Sequence, residues 1–327
     1  MNKLYYGDNL EVLRKYIKDE SVDLCYIDPP FNSKRNYNQI YNNIGSEDEA
    51  QAQAFIDTWT WDEAAVKGIE EIAMNTGGVF TSQSIDLISG LEKVLGRGSL
   101  LSYLISMTLR IAEIYRVLKP TGSFYFHCDP TASHYLKLLI DAVFVPKGGD
   151  FKNEIIWHYT GRRMVSSRAL NSKHDVIFFY TKTHSASIEE YPTESWTKEE
   201  YIKMKKQEVH TDEEGKQWIW GHAGKGKSHH YRIYIDEVIE NGRAVDDVWN
   251  LPIINTSSKE RLGYPTQKPE ALLERIIQMS CPEGGLVLDA YCGCGTTVSV
   301  AERSRRNWIG IDITYGSYSV SEFHVDL

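Results

Sequence analysis

Residues 285–297 read GLVLDAYCGCGTT. A short apolar run stops at Asp289, glycines follow at 293 and 295, and Thr296-Thr297 open a stretch with helical character. Strand, glycine-rich turn, helix is the repeating unit of a doubly wound α/β fold, which binds ligands beyond the carboxyl ends of its strands. A Gly-x-Gly turn at that place lets the backbone approach a ligand closely. The chain continues GCGTTV, without the third glycine of a dinucleotide fingerprint, which points away from a nicotinamide or flavin cofactor. NWIGID then ends a second strand at Asp312, about 20 residues on, where a carboxylate can accept ribose hydroxyls.

The same grammar extends upstream. VDLCYI (22–27) is a continuous apolar run suited to a strand buried on both faces. Leu10, Leu13 and Ile17, behind a cap at Asp8 or Asn9, predict a helix over 8–18. Residues 32–60 read as a polar loop, and 62–98 contain helical pieces around Gly77-Gly78. LLSYLISMTLRIAEIYRVL (100–118) predicts a long amphipathic helix stopped by Lys119-Pro120-Thr121-Gly122. SFYFHCD (123–129), NEIIWHYT (153–160) and DVIFFYTK (175–182) predict strands. TASHYLKLLIDAVF (131–144) and PEALLERIIQMS (269–280) predict helices, the second with Pro269 in its first turn. Between 183 and 250 the periodicity loosens into a charge- and glycine-rich stretch. The expected fold is a mostly parallel, doubly wound α/β sheet interrupted by an insertion.

Composition narrows the class. The chain has 327 residues, enough for two domains or one large domain with an insertion. No apolar run approaches the ~20 residues of a membrane span, and the first residues carry no apolar signal region. Five cysteines, an odd number, favour reduced thiols and a cytoplasmic location over a disulfide framework. Cys292 and Cys294 lack zinc-site spacing, so no metal is expected. His127-Cys128-Asp129 ends a strand and reads as structural.

VDLCYI runs into DPPF, with Asp28 at the strand's carboxyl end. Pro29 and Pro30 fix φ and donate no hydrogen bond, so the turn is rigid and its carbonyls are free to accept. Phe31 supplies a flat face. Two acceptors beside a stacking ring suit an exocyclic amine on a planar heterocycle. DPPF at 28–31, YPTQKPEALLERII at 264–277 and YCGCG at 291–295 together resemble the amino-directed DNA methyltransferases. With the tetrapeptide ahead of the glycine turn, the chain is similar to their permuted β class, N6-adenine type, across residues 3–314.

The resemblance implies a Rossmann-like methyltransferase fold in three parts: a catalytic part at 1–182, a target-recognition insertion at 183–250 and a cofactor-binding part at 251–327. It implies S-adenosylmethionine against Asp289, Tyr291, Gly293, Gly295 and Thr296, with Asp312 on its ribose. Asp8 and Asn9 would line the cofactor side, and Thr266, Lys268 and Pro269 would close around the methionine end. Asp28, Pro29, Pro30 and Phe31 would hold a base turned out of the duplex. After Asp312 the family continues with a helix and a third strand carrying an adenine contact; the remaining residues are too few for both, so an incomplete sheet is expected on that side.

A net charge of −9 argues against a nucleic-acid partner as a sum, but two windows reverse it locally. Residues 155–174 carry Arg162, Arg163, Arg168 and Lys173 without an acid. Residues 216–233 carry Lys216, Lys225, Lys227 and Arg232 among Trp218, Trp220 and Tyr231, again without an acid. Bases interleaved with aromatics suit phosphate contact and base stacking. The resemblance implies double-stranded DNA as the partner, with room for a cognate restriction endonuclease or a second copy of the chain. The competing expectations are an N4-cytosine enzyme, a catalytically silent DNA-recognition subunit and an RNA methyltransferase.

Overall fold

A computed structural model describes residues 2–30, 59–160, 170–222, 230–255, 257–262, 264 and 266–313. These fall into two compact units, one drawn from 1–189 and 247–327 and the other from 190–246.

The first unit is built on an eight-stranded sheet. In chain order its strands are β1 (Lys3–Tyr6), β2 (Val22–Ile27), β3 (Leu118–Cys128), β4 (Asp150–His158) and β5 (His174–Thr181). After the second unit's short strands β6 to β10 come β11 (Val248–Asn250), β12 (Leu286–Asp289) and β13 (Asn307–Asp312). The spatial order is β1-β13-β12-β2-β3-β5-β4-β11. The sheet is mostly parallel, as the strand–helix alternation predicts; β5 alone runs against both of its neighbours. All six residues of β2 are buried, which explains why its sequence shows no alternation.

Helices cover the sheet: α1 (Asn9–Tyr16), α2 (Glu63–Met74), α3 (Ser82–Leu95), α4 (Ser99–Val117) and α5 (Ser133–Phe144). Two helices of 190–246 follow, α6 (Lys198–Lys205) and α7 (Ile235–Asn241), then α8 (Glu270–Ser280) and α9 (Thr296–Arg303). The 100–118 segment differs from its expected amphipathic character. Leu104, Met107, Thr108, Ile111 and Glu113 are all buried, so α4 is enclosed on more than one face. Glu113 tolerates this because Arg14 and Arg116 both bond its carboxylate, at 3.1 and 2.6 Å.

A second difference concerns the flank beyond Asp312. The place beside β13 is held by β1, from the other end of the chain, in parallel register from Lys3↔Ile309 to Tyr6↔Asp312. KLYY gives no strong strand signal because it is four residues long and lies on the sheet's edge, half-exposed. A third strand therefore stands on this side, contrary to the incomplete sheet expected.

Residues 190–246 form a separate small core around Tyr201, Ile219 and Ile235. The unit contains a three-stranded antiparallel sheet, β7 (His210–Thr211), β8 (Gln217–His222) and β9 (His230–Tyr234). A two-stranded ribbon joins β6 (Thr193–Glu194) to β10 (Arg243–Ala244). These elements are too short to leave a periodic trace in the sequence. Among the described residues no helix is long and apolar enough to cross a membrane.

Candidate active site

Four strands of the first unit deliver acids to one edge of the sheet: β1 ends before Asp8, β2 before Asp28, β12 at Asp289 and β13 at Asp312. A cavity of about 1030 Å³ lies there, and all four carboxylates line it. Tyr291, Gly293, Thr296, Asn9, Thr266 and Lys268 line it too, as do Pro29 and Pro30. Pro269 and Gly295 act one step back. Pro269 is buried at the N-cap of α8, and Gly295 is the N-cap of α9.

The glycine turn is shaped by its backbone. Gly293 and Gly295 have φ of 50° and 84°, the left-handed region that costs most residues free energy. A Cβ on Gly293 would also sit 3.3 Å from the Tyr264 ring. The Gly293 N–H donates to the Asp312 carboxylate at 2.8 Å, tying the turn to the end of β13.

Asp289 is fully buried, and its carboxyl is pushed up to about 7. Burial is the main cause; the neighbouring charges of Asp28 and Asp312 add to it, while bonds from the Thr297 side chain and the Tyr291 N–H oppose it. Such crowding of acids makes a pocket that favours a cationic guest.

Asp8 caps α1, accepting from the N–H groups of Leu10 and Glu11 at 2.9 and 3.2 Å. Asn9 donates to the Ala290 carbonyl at 2.7 Å, joining the start of α1 to the cofactor-type turn. Arg110 on α4 clamps both: it donates to Asn9 Oδ1 at 2.6 Å and to Asp8 Oδ2 at 2.8 Å. No sequence signal marks Arg110, because its partners lie about a hundred positions away.

Asp28 has two different oxygens. Oδ2 is ion-paired to Lys268 Nζ. Oδ1 is buried and has no hydrogen-bond partner among the described residues. A buried acceptor left unmade costs roughly 1–3 kcal/mol, which a ligand N–H would relieve. The contact also places the Lys268 head group at the tetrapeptide carboxylate.

Of the basic residues expected at DNA, Lys173 is half-buried beside β5, its carbonyl accepting from the Tyr159 N–H at 3.0 Å. Arg232 is exposed in the second unit, its guanidinium 4.7 Å from the Trp218 ring centre. Phe31, Arg162, Arg163, Arg168, Lys225 and Lys227 lie outside the described residues.

His127 was expected to be structural. It is fully buried, its Nδ1 2.8 Å from the Tyr26 hydroxyl and its Nε2 3.1 Å from the Asp175 carboxylate. Sequence reasoning missed this array because its members come from three strands. The five cysteines are buried free thiols, and Cys292 and Cys294 sit as small side chains beside glycines.

Residues 22–322 match the DNA methylase family N6_N4_Mtase. The chain belongs to that family. It is 29% identical to the type II methyltransferase M.HpaI of Haemophilus parainfluenzae over 205 residues, 62% of this chain and 53% of that protein. It is 25% identical to the DNA adenine methyltransferase YhdJ of Escherichia coli (strain K12) over 317 residues, 95% of this chain and 78% of that protein. The match to M.HpaI thus spans about half the length of that relative. Among solved structures, the PvuII DNA methyltransferase (cytosine-N4-specific) superposes with a TM-score of 0.51 at 16% identity, covering 96% of this chain and 83% of that one. That likeness supports a methyltransferase-type α/β fold.

The family uses S-adenosylmethionine. The residues present fit it: seven acids line the cavity against four bases, and those at the ends of four strands offer acceptors to a ligand bearing a sulfonium, an ammonium and ribose hydroxyls, beside a glycine turn of the type that admits close backbone approach.

Proposed function

We propose that the chain methylates the N6 amino group of adenine in double-stranded DNA, as a permuted, β-class enzyme with a DPPF tetrapeptide. The observation that carries this reading is the buried Oδ1 of Asp28, without a hydrogen-bond partner among the described residues and in the same cavity as the Asp289–Gly293 turn. Bound S-adenosylmethionine supplies an electrophilic methyl group on its sulfonium. Asp289, Tyr291, Gly293, Gly295 and Thr296 hold that cofactor, Asp312 takes its ribose, and Asp8 and Asn9 line the same side. Thr266 and Pro269 shape the wall from which Lys268 reaches Asp28.

The amine of adenine is a poor nucleophile because its lone pair is delocalised into the ring. Asp28 Oδ1 accepts one N–H and the Pro29 carbonyl the other. Both bonds strengthen as positive charge develops on nitrogen, so they stabilise the transition state more than the ground state. Pro29 and Pro30 hold the acceptors still, and Phe31 stacks on the extruded base. Lys268 fixes Oδ2, leaving Oδ1 for the amine.

Target choice belongs to residues 183–250, with Arg162, Arg163, Arg168, Lys173, Lys225, Lys227 and Arg232 on phosphates. A restriction endonuclease of matching specificity and a homodimer are further proposed partners. N4-cytosine is the second reading: Asp28 contacts only an amine, which both bases present. The PvuII enzyme that shares the fold is cytosine-N4-specific. Incubation with labelled S-adenosylmethionine and unmethylated duplex DNA, followed by nucleoside analysis, tests the reading. N6-methyladenine is expected; N4-methylcytosine would change the base. Absence of any methylated base, with cofactor still bound, would instead support a silent recognition subunit.

A further inference from the structure

Asp28 is not alone at the cavity in holding a buried polar atom without a hydrogen-bond partner among the described residues. Trp59 Nε1 and Ser102 Oγ share that condition, and both residues line the same cavity. Neither takes part in the mechanism above. Ser102 is 3% exposed and lies in the first turn of α4. A buried helical hydroxyl ordinarily bonds a carbonyl one turn back, as Thr108 does to Leu104 at 2.7 Å. Ser102 does not. Trp59 precedes α2, and its ring centre is 5.4 Å from that of Tyr103, the next residue after Ser102. An indole N–H can only donate, so its burial without an acceptor is unfavourable until a ligand supplies one.

Two further facts decide which kind of group these donors suit. The first is the start of α4, a helix of 19 residues. Its N-cap is Gly98, which makes no side-chain bond to the first turn, and no acid stands in that turn. The N-terminus of a long helix carries partial positive charge and favours an anion. The second is the state of the bases. Arg14 meets Glu71 and Glu113, Lys67 meets Glu63, Arg110 meets Asp8, and Lys268 meets Asp28. An anion entering the cavity competes with a carboxylate at every one of those bases. At Trp59 and Ser102 it meets no such competitor. S-adenosylmethionine, the cofactor of the family, carries one anionic group, its α-carboxylate.

We propose that Trp59 and Ser102 bind the carboxylate of the cofactor's methionine, the indole N–H and the serine O–H each donating to it. The start of α4 adds its dipole to those two bonds. The inference rests on the family's use of S-adenosylmethionine, and on neither the identity of the target base nor the role of Asp28. The cofactor is then sorted by charge. Acids at the strand ends face its sulfonium and ammonium, while neutral donors on the helical wall take its carboxylate. Bonds to an ionised acceptor are the stronger kind, so two of them weigh heavily in affinity.

The test uses Trp59→Phe and Ser102→Ala in the full chain. Phe keeps a ring against Tyr103 and removes the N–H; Ala removes only the hydroxyl. Calorimetry measures the affinity of the parent and both variants for S-adenosylmethionine and for decarboxylated S-adenosylmethionine, which retains the sulfonium and the amine. The parent is expected to bind the decarboxylated form at least about ten-fold more weakly. Each variant is expected to lose about ten-fold toward the intact cofactor and less than about two-fold toward the decarboxylated one. Equal losses toward both forms would mark structural roles and overturn the proposal, as would no loss toward either. Weakened duplex affinity in the variants, with cofactor affinity intact, would assign the donors to a DNA phosphate and overturn it too. A parent that binds both forms equally would overturn this proposal alone, whereas a parent that binds neither would overturn the cofactor assignment with it.

Discussion

At the scale of single residues the site is a balance of acids against bases, with Lys268 on Asp28 and Arg110 on Asp8. Asp28→Asn keeps the shape of the side chain but replaces one carboxylate oxygen with an amide. It is expected to lower single-turnover methylation by about 10²–10³-fold, the cost of one oriented electrostatic partner in a water-poor site, with cofactor affinity nearly unchanged. Calorimetric titration beside a radiolabel assay separates the two effects. Lys268→Met removes the ion pair that fixes Oδ2. Single-turnover methylation is expected to slow by about ten-fold in that variant, and Lys268→Arg should restore much of the parent rate. Asp289 makes a third case, with the sign set by its raised carboxyl. Its folded-state value of about 7 lies above that of the unfolded chain, so its protonated form favours folding. That contribution is present at low pH and is lost as pH rises toward 7. Asp289→Asn should therefore gain in thermal midpoint relative to the parent between about pH 4 and 7, while losing cofactor affinity. A constant difference across that range, measured by scanning calorimetry without ligand, would contradict this.

At the scale of elements, what could be read from sequence depended on how local the signal was. β2 and β12 were legible because burial on both faces writes a continuous apolar run, and α8 because Pro269 and its leucines mark one turn after another. The glycine turn was legible because positive φ demands its residue type. β1 was not, since an edge strand of four half-exposed residues is specified by its register against β13 rather than by itself. Arg110 and the Tyr26–His127–Asp175 row were invisible for the same reason: the fold, not the spacing, brings them together. The role of Asp8 in capping shows how an element serves the site. Asp8→Ala removes two bonds to the first turn of α1 and one from Arg110. Loss of an N-cap alone costs roughly 1 kcal/mol, so a fall of a few degrees in thermal midpoint is expected. Asp8→Asn retains a capping oxygen and should recover most of it. A midpoint equal in both variants would show that the cap contributes little.

At the scale of the whole molecule, the proposed function asks a chain with a net charge of −9 to bind a polyanion. Long-range attraction cannot come from the sum, so it must come from where the bases sit. The two windows that lack acids lie in different compact units: Lys173 belongs to the first, Arg232 to the second. If each contacts one phosphate, replacing either by Ala removes one released counterion. The slope of log K against log salt should then fall by about 0.9 for each variant, and by about twice that for the pair. Arg232 also stacks on Trp218, so Arg232→Lys is expected to keep the slope while losing the ring contact. Fluorescence anisotropy with a labelled duplex, titrated at several salt concentrations, measures the parent and the four variants on one scale. A pair whose slope matches the parent would remove both residues from the interface. Equal single effects that do not add would mean the two compete for one phosphate. Additive slopes would establish that both units engage DNA at once, which is the arrangement the proposed division into a recognition insertion and a methylating unit requires.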